Sequence, residues 1–386
     1  MPAFPDQPPR LRAAMGALRA QFFVAGALFA TWGVHVPSVK AHYALGERAL
    51  AIAMLASGVG SVLALLQAGK VFARHAPRRV APLLALVAAA AIGSLLLPSA
   101  YPVLLLLMLA YGVAGALFDV AINDEASAIE RMAGRPVMSG FHALFSLGGM
   151  AGAAAWSVLA PIGVSASQHL AGAAGVLALV AIVASGFMLP HAREPQAGGA
   201  PLSLPRGPLL LLGVLAALGL IGEGAMYDWS VLYLRQDLQA PRDTASLGYA
   251  SFSAAMAAGR FAGDWVRART APVTLLRASG LLAAAGMALA LAAPSPWAAL
   301  AGFALVGLGF ANVVPVLFSA AGQVPGVAPA HGIAAVSSLG YFGMMAGPPL
   351  IGFIAQAQSL RAGLLVVIAF AAVVAALSRR ALGGAA

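Results

Sequence analysis

Ser146-Leu147-Gly148-Gly149-Met150-Ala151-Gly152 returns, altered, 192 residues later as Ser338-Leu339-Gly340-Tyr341-Phe342-Gly343-Met344-Met345-Ala346-Gly347. A second stretch, Gly69-Lys70-Val71-Phe72-Ala73-Arg74, returns as Gly259-Arg260-Phe261-Ala262-Gly263-Asp264 at an offset of 190. Two echoes at nearly one offset indicate two related halves, each about half the chain. Duplicated membrane halves are a common plan for transporters, with the substrate site between the repeats near the bilayer midplane.

Composition supports a membrane chain. Hydrophobic residues make up 61% of the 386 and charged residues 9%, against about 25% charged in a soluble domain. One water-soluble core cannot absorb so much apolar sequence. The net charge of +10 raises nucleic acid as a partner, but the basic residues lie in short clusters between apolar runs, as the positive-inside rule requires. No cysteine is present, which excludes disulfides, thiol catalysis and cysteine metal sites. The polar, proline-rich start at Met1 to Pro9 has no short apolar core with a cleavage site, so no removable signal peptide is expected.

A bilayer core takes about 20 apolar residues per helix. On that basis the first half divides into spans at 15–38, 48–69, 79–98, 102–127, 137–161 and 167–189. The second divides at 208–235, 244–265, 273–293, 297–320, 330–355 and 360–378. The expected domains are 1–190 and 208–386, joined by a polar cytoplasmic linker at 191–207 that holds Pro195, Pro201 and Pro205. With the N-terminus inside, 17 of the 22 Lys and Arg fall on the cytoplasmic side, which places both termini there and requires an even number of spans. Ten spans would also satisfy the charge bias; the repeat favours six plus six. The fold expected is therefore all-α, with twelve transmembrane helices in two six-helix repeats.

Small residues let helices approach in lipid, and Gly58, Gly60, Gly112, Gly115, Gly148, Gly149, Gly307 and Gly309 are read as packing sites. Pro37, Pro315, Pro348 and Pro349 remove helix hydrogen bonds and are expected to kink or end spans 1, 10 and 11.

An ionisable group in the hydrocarbon region costs roughly 2.5–3.5 kcal/mol on insertion scales, so each asks for a reason. Three acids fall well inside spans: Asp119 in span 4, and Glu223 and Asp228 in span 7. Asp119 and Asn123 are four residues apart and share a helix face. They can be a packing pair or a proton or substrate site, since a carboxylate removed from water can carry a proton. Glu223 lies near the midplane with Tyr227 on its face. Asp228 points about 140° away and reads as an outer gate or packing residue beside Trp229. Asp124 and Glu125 near the end of span 4 read as interface charges neutralised by Arg131 and Arg135. His142, Ser146 and Gly149 form a small polar stripe, structural or part of a proton relay. Asn312 falls near Asp119 shifted by the repeat. Trp32 and Tyr341 are candidate cavity aromatics. There is no zinc-ligand cluster, nucleophile elbow or Walker loop, so no metal site, cofactor, enzymatic activity or ATP hydrolysis is expected, and transport would run on a gradient.

These features together resemble the major facilitator superfamily. That family's loop pattern, Gly-x-x-x-Asp followed by arginines, is matched by Gly69, Arg74, Arg78 and Arg79, although Ala73 or Arg74 occupies the acidic position. The second copy keeps Gly259, Arg260 and Asp264. The resemblance implies a cytoplasmic gating role for Gly69, Arg74, Arg78, Arg260 and Asp264, with the first latch weakened or replaced. Glu223-Gly224-Ala225-Met226-Tyr227-Asp228-Trp229-Ser230, Phe141-His142-Ala143-Leu144-Phe145-Ser146-Leu147-Gly148 and Ala311-Asn312-Val313-Val314-Pro315 are similar to the YbjJ-like bacterial inner-membrane transporters, distant relatives of the fucose permeases. Fucose permeases resemble this chain in a span-4 acid, here Asp119; their span-1 acid has no match, since span 1 offers His35 and then Lys40.

The function expected is a proton-coupled secondary transporter of a small polar organic solute, sugar-like solutes included, working by alternating access in the inner membrane. Asp119, Glu223 and Asp228 are its candidate carboxylates, and Trp32, Asn123, His142, Tyr227, Asn312 and Tyr341 its cavity residues. Its partners are the solute, protons and membrane lipid, without nucleic acid, and it works as a monomer. Two alternatives are a drug- or cation–proton antiporter and a non-transporting sensor or scaffold that retains the fold.

Overall fold

The computed structural model describes residues 9–134, 137–190, 206–327 and 329–382, apart from the side chains of Ala73, Ser139, Asp264, Pro329, Ala330, His331 and Ala334. Among the described residues there is no strand. The described residues form thirteen helices in order: α1 (Pro9–His42), α2 (Glu47–Arg74), α3 (Pro77–Gly93), α4 (Tyr101–Ala133), α5 (Met138–Leu159), α6 (Ala166–Ser185), α7 (Pro208–Gln236), α8 (Arg242–Arg267), α9 (Pro272–Ala292), α10 (Pro296–Phe310), α11 (Val313–Ala321), α12 (Pro329–Ala357) and α13 (Leu360–Leu382).

Local chemistry explains the ends. Proline stands in the first turn of α3, α4, α7, α9 and α10, where its missing N–H is no loss and its fixed φ is already helical. Ser165 caps α6 in a reciprocal box with Gln168: the Ser165 hydroxyl accepts from Gln168 N–H at 3.2 Å, and Gln168 accepts from Ser165 N–H at 2.8 Å. Gly134, at φ +65°, ends α4 in the left-handed region that glycine enters without strain. Glu130 then takes the Val137 and Met138 N–H groups at 2.8 and 2.9 Å, satisfying donors that α5 leaves open at its start.

Among the described residues, ten stretches are long and apolar enough to cross a membrane: one in each of α1, α2, α4, α5, α6, α7, α9, α12 and α13, and one running through α10 and α11. The two expected spans outside this set are α3, with 17 residues, and α8, which carries Arg242, Asp243, Arg260, Asp264 and Arg267.

The chain divides into two compact units. The first comprises Met1–Tyr43 and Ala56–Gly199; the second comprises Ala44–Leu55 and Ala200–Ala386. The expected linker, 191–207, lies mostly outside the described residues. In the first unit α1 packs on α5 and α6, and α3 on α4 and α6. In the second, α7 packs on α12, α13 and α8, while α9 packs on α10 and α13.

The repeated motif performs the same task in each unit. In the first, a side chain at Gly148 would run into the Phe23 backbone carbonyl, and one at Gly26 into the Phe145 carbonyl, so α5 and α1 touch backbone to backbone. In the second, a Cβ at Gly343 would meet Ala217 at 2.7–2.9 Å, and one at Gly340 would meet Leu220 at 2.9 Å. Lipid supplies no hydrophobic drive between helices, so close van der Waals packing of this kind must hold them. Gly60, Gly112, Gly307 and Gly309 also sit at crowded crossings, whereas Gly115 faces open space.

Span 10 is broken. The helix stops at Phe310 and restarts at Val313, and the cause is Pro315. Proline at position i cannot donate to the carbonyl at i−4, and its ring crowds that carbonyl; here that residue is Ala311. The ladder resumes with Val316 N–H donating to Asn312 O at 3.1 Å. By contrast, α1 continues through Pro37 and α12 through Pro348 and Pro349.

Candidate functional site

The second unit brings three of the expected residues together. Glu223 on α7 accepts from Arg260 Nη2 on α8 at 3.0 Å and from the Tyr227 hydroxyl at 3.2 Å. Both bonds end on one oxygen, Oε1; among the described residues no hydrogen bond reaches Oε2. The ion pair is shielded, with side chains 17% exposed for Arg260 and 8% for Glu223. The Tyr227 ring lies 5.1 Å from Tyr249 and edge-on to Phe252 at 5.0 Å, which fixes the direction of its hydroxyl.

Glycines bring these two helices to the same place. On α7, a Cβ at Gly222 would lie 2.5 Å from the Phe310 ring, and one at Gly219 would lie 3.0 Å from Val313. On α8, a Cβ at Gly259 would be 2.6 Å from the Ala311 methyl, and one at Gly263 would be 2.7 Å from Asn312 Oδ1. Helices α7 and α8 therefore both close on the α10–α11 break, from residues adjacent to Glu223 and Arg260. Asn312 is the residue before α11 and is buried. Asp119, its expected repeat equivalent, sits inside the unbroken α4.

In the first unit Asn123 Nδ2 donates to Asp119 Oδ1 at 3.0 Å and to the Asp119 carbonyl at 2.9 Å. The expected one-face pair is thus a closed contact within α4. His142 on α5 lies edge-on to Phe22 of α1, centroids 5.2 Å apart, and its carbonyl accepts the Ser146 hydroxyl at 3.4 Å.

The other candidates are placed separately. Asp228 is buried on α7. Trp32 is buried on α1, whereas Tyr341 on α12 is 52% exposed. Of the residues grouped as a gating loop, Gly69 lies inside α2, Arg74 ends it, and Arg78 opens α3. The Arg78 guanidinium donates to Gly186 O at 2.8 Å, just past the end of α6. Arg260 is not a loop residue: it lies within α8 and holds Glu223. The Asp264 side chain is outside the described set.

One sequence expectation is corrected. Glu125 was expected at the interface beside Arg131 and Arg135, yet it is fully buried, and its Oε1 accepts Leu189 N–H at 2.6 Å. Residue type and position near a span end could not show that the chain leaving α6 passes over this carboxylate. Gln21 was also missed. It reaches from α1 to Ala181 O and Ser185 Oγ of α6 at 2.9 and 2.8 Å, and only its amide polarity in an apolar run marked it.

A family model for the Major Facilitator Superfamily matches residues 18–329. An uncharacterised MFS-type transporter of Yersinia pestis is 36% identical over 344 residues, covering 89% of each chain. Among solved structures, a bacterial homologue of the human lysosomal transporter Spinster matches with a TM-score of 0.77 at 13% identity, over 97% of each chain. A D-xylose–proton symporter matches at 0.75 and 14% identity, over 95% of this chain and 97% of that one. At such identities the likeness to these structures is one of fold.

Proposed function

Because this chain belongs to the Major Facilitator Superfamily and is a multi-pass inner-membrane protein, we propose that it is a proton-coupled secondary transporter of a small polar organic solute, sugar-like solutes included. In this reading twelve spans form two halves with both termini cytoplasmic, and alternating access carries the solute without chemical conversion.

The observation that carries the proposal is the shared Oε1 of Glu223. The second oxygen can take a proton while Oε1 still accepts from Arg260 and Tyr227. A proton there cancels the carboxylate charge and weakens the grip on Arg260, so the strength of an α7–α8 contact depends on protonation. Ionisable residues inside membrane helices pair with one another and mark proton relays and substrate paths. Asp119, with Asn123 as its donor, is the matching candidate in the first unit. Asp228, His142, Asn312, Trp32 and Tyr341 take secondary cavity roles.

The test is uptake by proteoliposomes, guided by thermal-shift screening of the purified protein against sugars, sugar acids, amino acids and cationic drugs at two pH values, since a ligand that binds the native state stabilises it by mass action. A polar solute that stabilises the protein and accumulates with an imposed proton gradient is expected. Glu223→Gln should retain binding of that solute and lose gradient-driven accumulation. Stabilisation by lipophilic cations alone would turn the reading to efflux. Accumulation by Glu223→Gln and Asp119→Asn at the normal rate and pH dependence would remove both carboxylates from the mechanism.

A further inference from the structure

A buried pair of imidazoles lies in the first unit, where the transport reading makes no use of it. His35 on α1 and His169 in the first turn of α6 are 0% and 5% exposed. His35 Nε2 and His169 Nδ1 are 2.8 Å apart. The Ser38 hydroxyl lies 3.4 Å from the other nitrogen of His35. The Trp156 ring of α5, itself buried, stands against both, 4.5 Å from His35 and 5.1 Å from His169 between centroids.

Proton counting limits what this arrangement can hold. A bond between two ring nitrogens needs one proton between them. The neutral pair has two protons on four nitrogens, and either ring can be the donor. A third proton can bind an outer nitrogen and leave the central bond intact. A fourth would set N–H against N–H and two positive charges side by side. The Trp156 ring system favours a cation close to its face, and Ser38 can turn its hydroxyl to accept or donate. We propose that His35 and His169 form a proton-binding site of the first unit, one that takes up a single proton beyond the neutral pair, with Trp156 as its wall.

The surroundings leave the pair as the titrating group at its level. On α6, His169 is the only titratable side chain, and on α5 the only one is His142, near the opposite end of that helix. On α3, Arg78 and Arg79 lie in the first turn, and Arg78 is bonded at the far end of α6. On α4 the titratable groups are Tyr101 and Tyr111, and then Asp119, Asp124, Glu125, Glu130 and Arg131 towards its other end. On α1 itself, Arg10, Arg12 and Arg19 lie far along the helix, and Lys40 and His42 follow His35. Of these, His42 is bonded to Pro98 O at 2.8 Å, and the adjacent Tyr43 donates to Leu95 O at 2.9 Å. The site shares no residue with Glu223, Arg260 and Tyr227, and its proton would enter at the junction of α1 and α6.

The experiment is a histidine NMR titration of the full-length protein in nanodiscs, labelled with ¹⁵N-histidine, over about pH 5 to 8, where imidazoles change charge. Two resonances should move together in one single-proton step. His35→Gln and His169→Gln, which keep an amide in place of the ring, should each abolish that joint step and leave the other histidines unchanged. Trp156→Phe leaves both imidazoles in place and should displace the midpoint; it keeps the test available if a glutamine variant does not fold. The pH-dependent change in tryptophan emission should follow the same step and vanish in Trp156→Phe. Two resonances that stay neutral throughout, or that titrate in two separate one-proton steps, would overturn the proposal.

Discussion

Glu223 and Arg260 meet through one carboxylate oxygen, at 3.0 Å, and Tyr227 shares that oxygen. The contact joins α7 to α8 in a shielded setting, where removing Arg260 takes the cation away from the Glu223 carboxylate. Arg260→Ala should therefore destabilise the protein by about 3 kcal/mol, since breaking a buried pair leaves an uncompensated charge. Arg260→Lys should recover only part, because an ammonium cannot reproduce the guanidinium geometry. The Glu223→Gln/Arg260→Gln double variant should lose less than the sum of its single variants. Thermal unfolding of the purified protein measures all five variants, and strictly additive losses in the double variant would contradict a coupled pair.

Gly148→Ala should lower stability by about 1–3 kcal/mol, the usual cost of overpacking. The added methyl meets the Phe23 backbone carbonyl, which has no side-chain freedom with which to yield. Gly115→Ala, on the open face of α4, serves as the control and should leave the unfolding temperature unchanged or slightly raised. Comparing the two by thermal unfolding separates packing from helix propensity.

Pro315→Ala should restore a donor for the Ala311 carbonyl and join α10 to α11. We expect a gain of about 1 kcal/mol from the added hydrogen bond, together with slower solute transport, because α7 and α8 close on this break. A higher unfolding temperature with reduced uptake is the expected pair of readings. An unchanged uptake rate in a stabilised variant would show that the break has no part in the cycle.

Glu130→Ala removes the acceptor of the Val137 and Met138 N–H groups. The loss of such a cap costs about 1–2 kcal/mol. Glu130→Gln keeps one acceptor oxygen and should cost less. Thermal unfolding ranks the two, and equal losses would assign the effect to charge rather than to capping.

Much of the architecture was readable from residue order. Helix starts coincided with prolines and with Ser165, and the glycine echo marked the close crossings of α1 with α5 and α7 with α12. The site was only half readable. Glu223 and Tyr227 stand four apart on one helix, so their contact follows from helical period alone. Arg260 was given a gating role because its motif echoes Gly69 to Arg74, and although the expected span 244–265 contains it, the motif does not say which side chain of another helix it meets. Glu125 resembled an interface charge because arginines follow it, yet the chain beyond α6 covers it.

What the sequence by itself determined is what depends on near neighbours: apolar runs that demand helices, glycine and proline positions, and the acids that lipid would not tolerate without purpose. Only the tertiary structure decided which distant groups meet: Glu223 with Arg260, His35 with His169, and Glu125 with Leu189. Such meetings depend on the rotation and axial register of packed helices. A shift of one residue turns a side chain by about 100° and moves it about 1.5 Å along the axis, and no local pattern sets those two quantities between helices far apart in the chain.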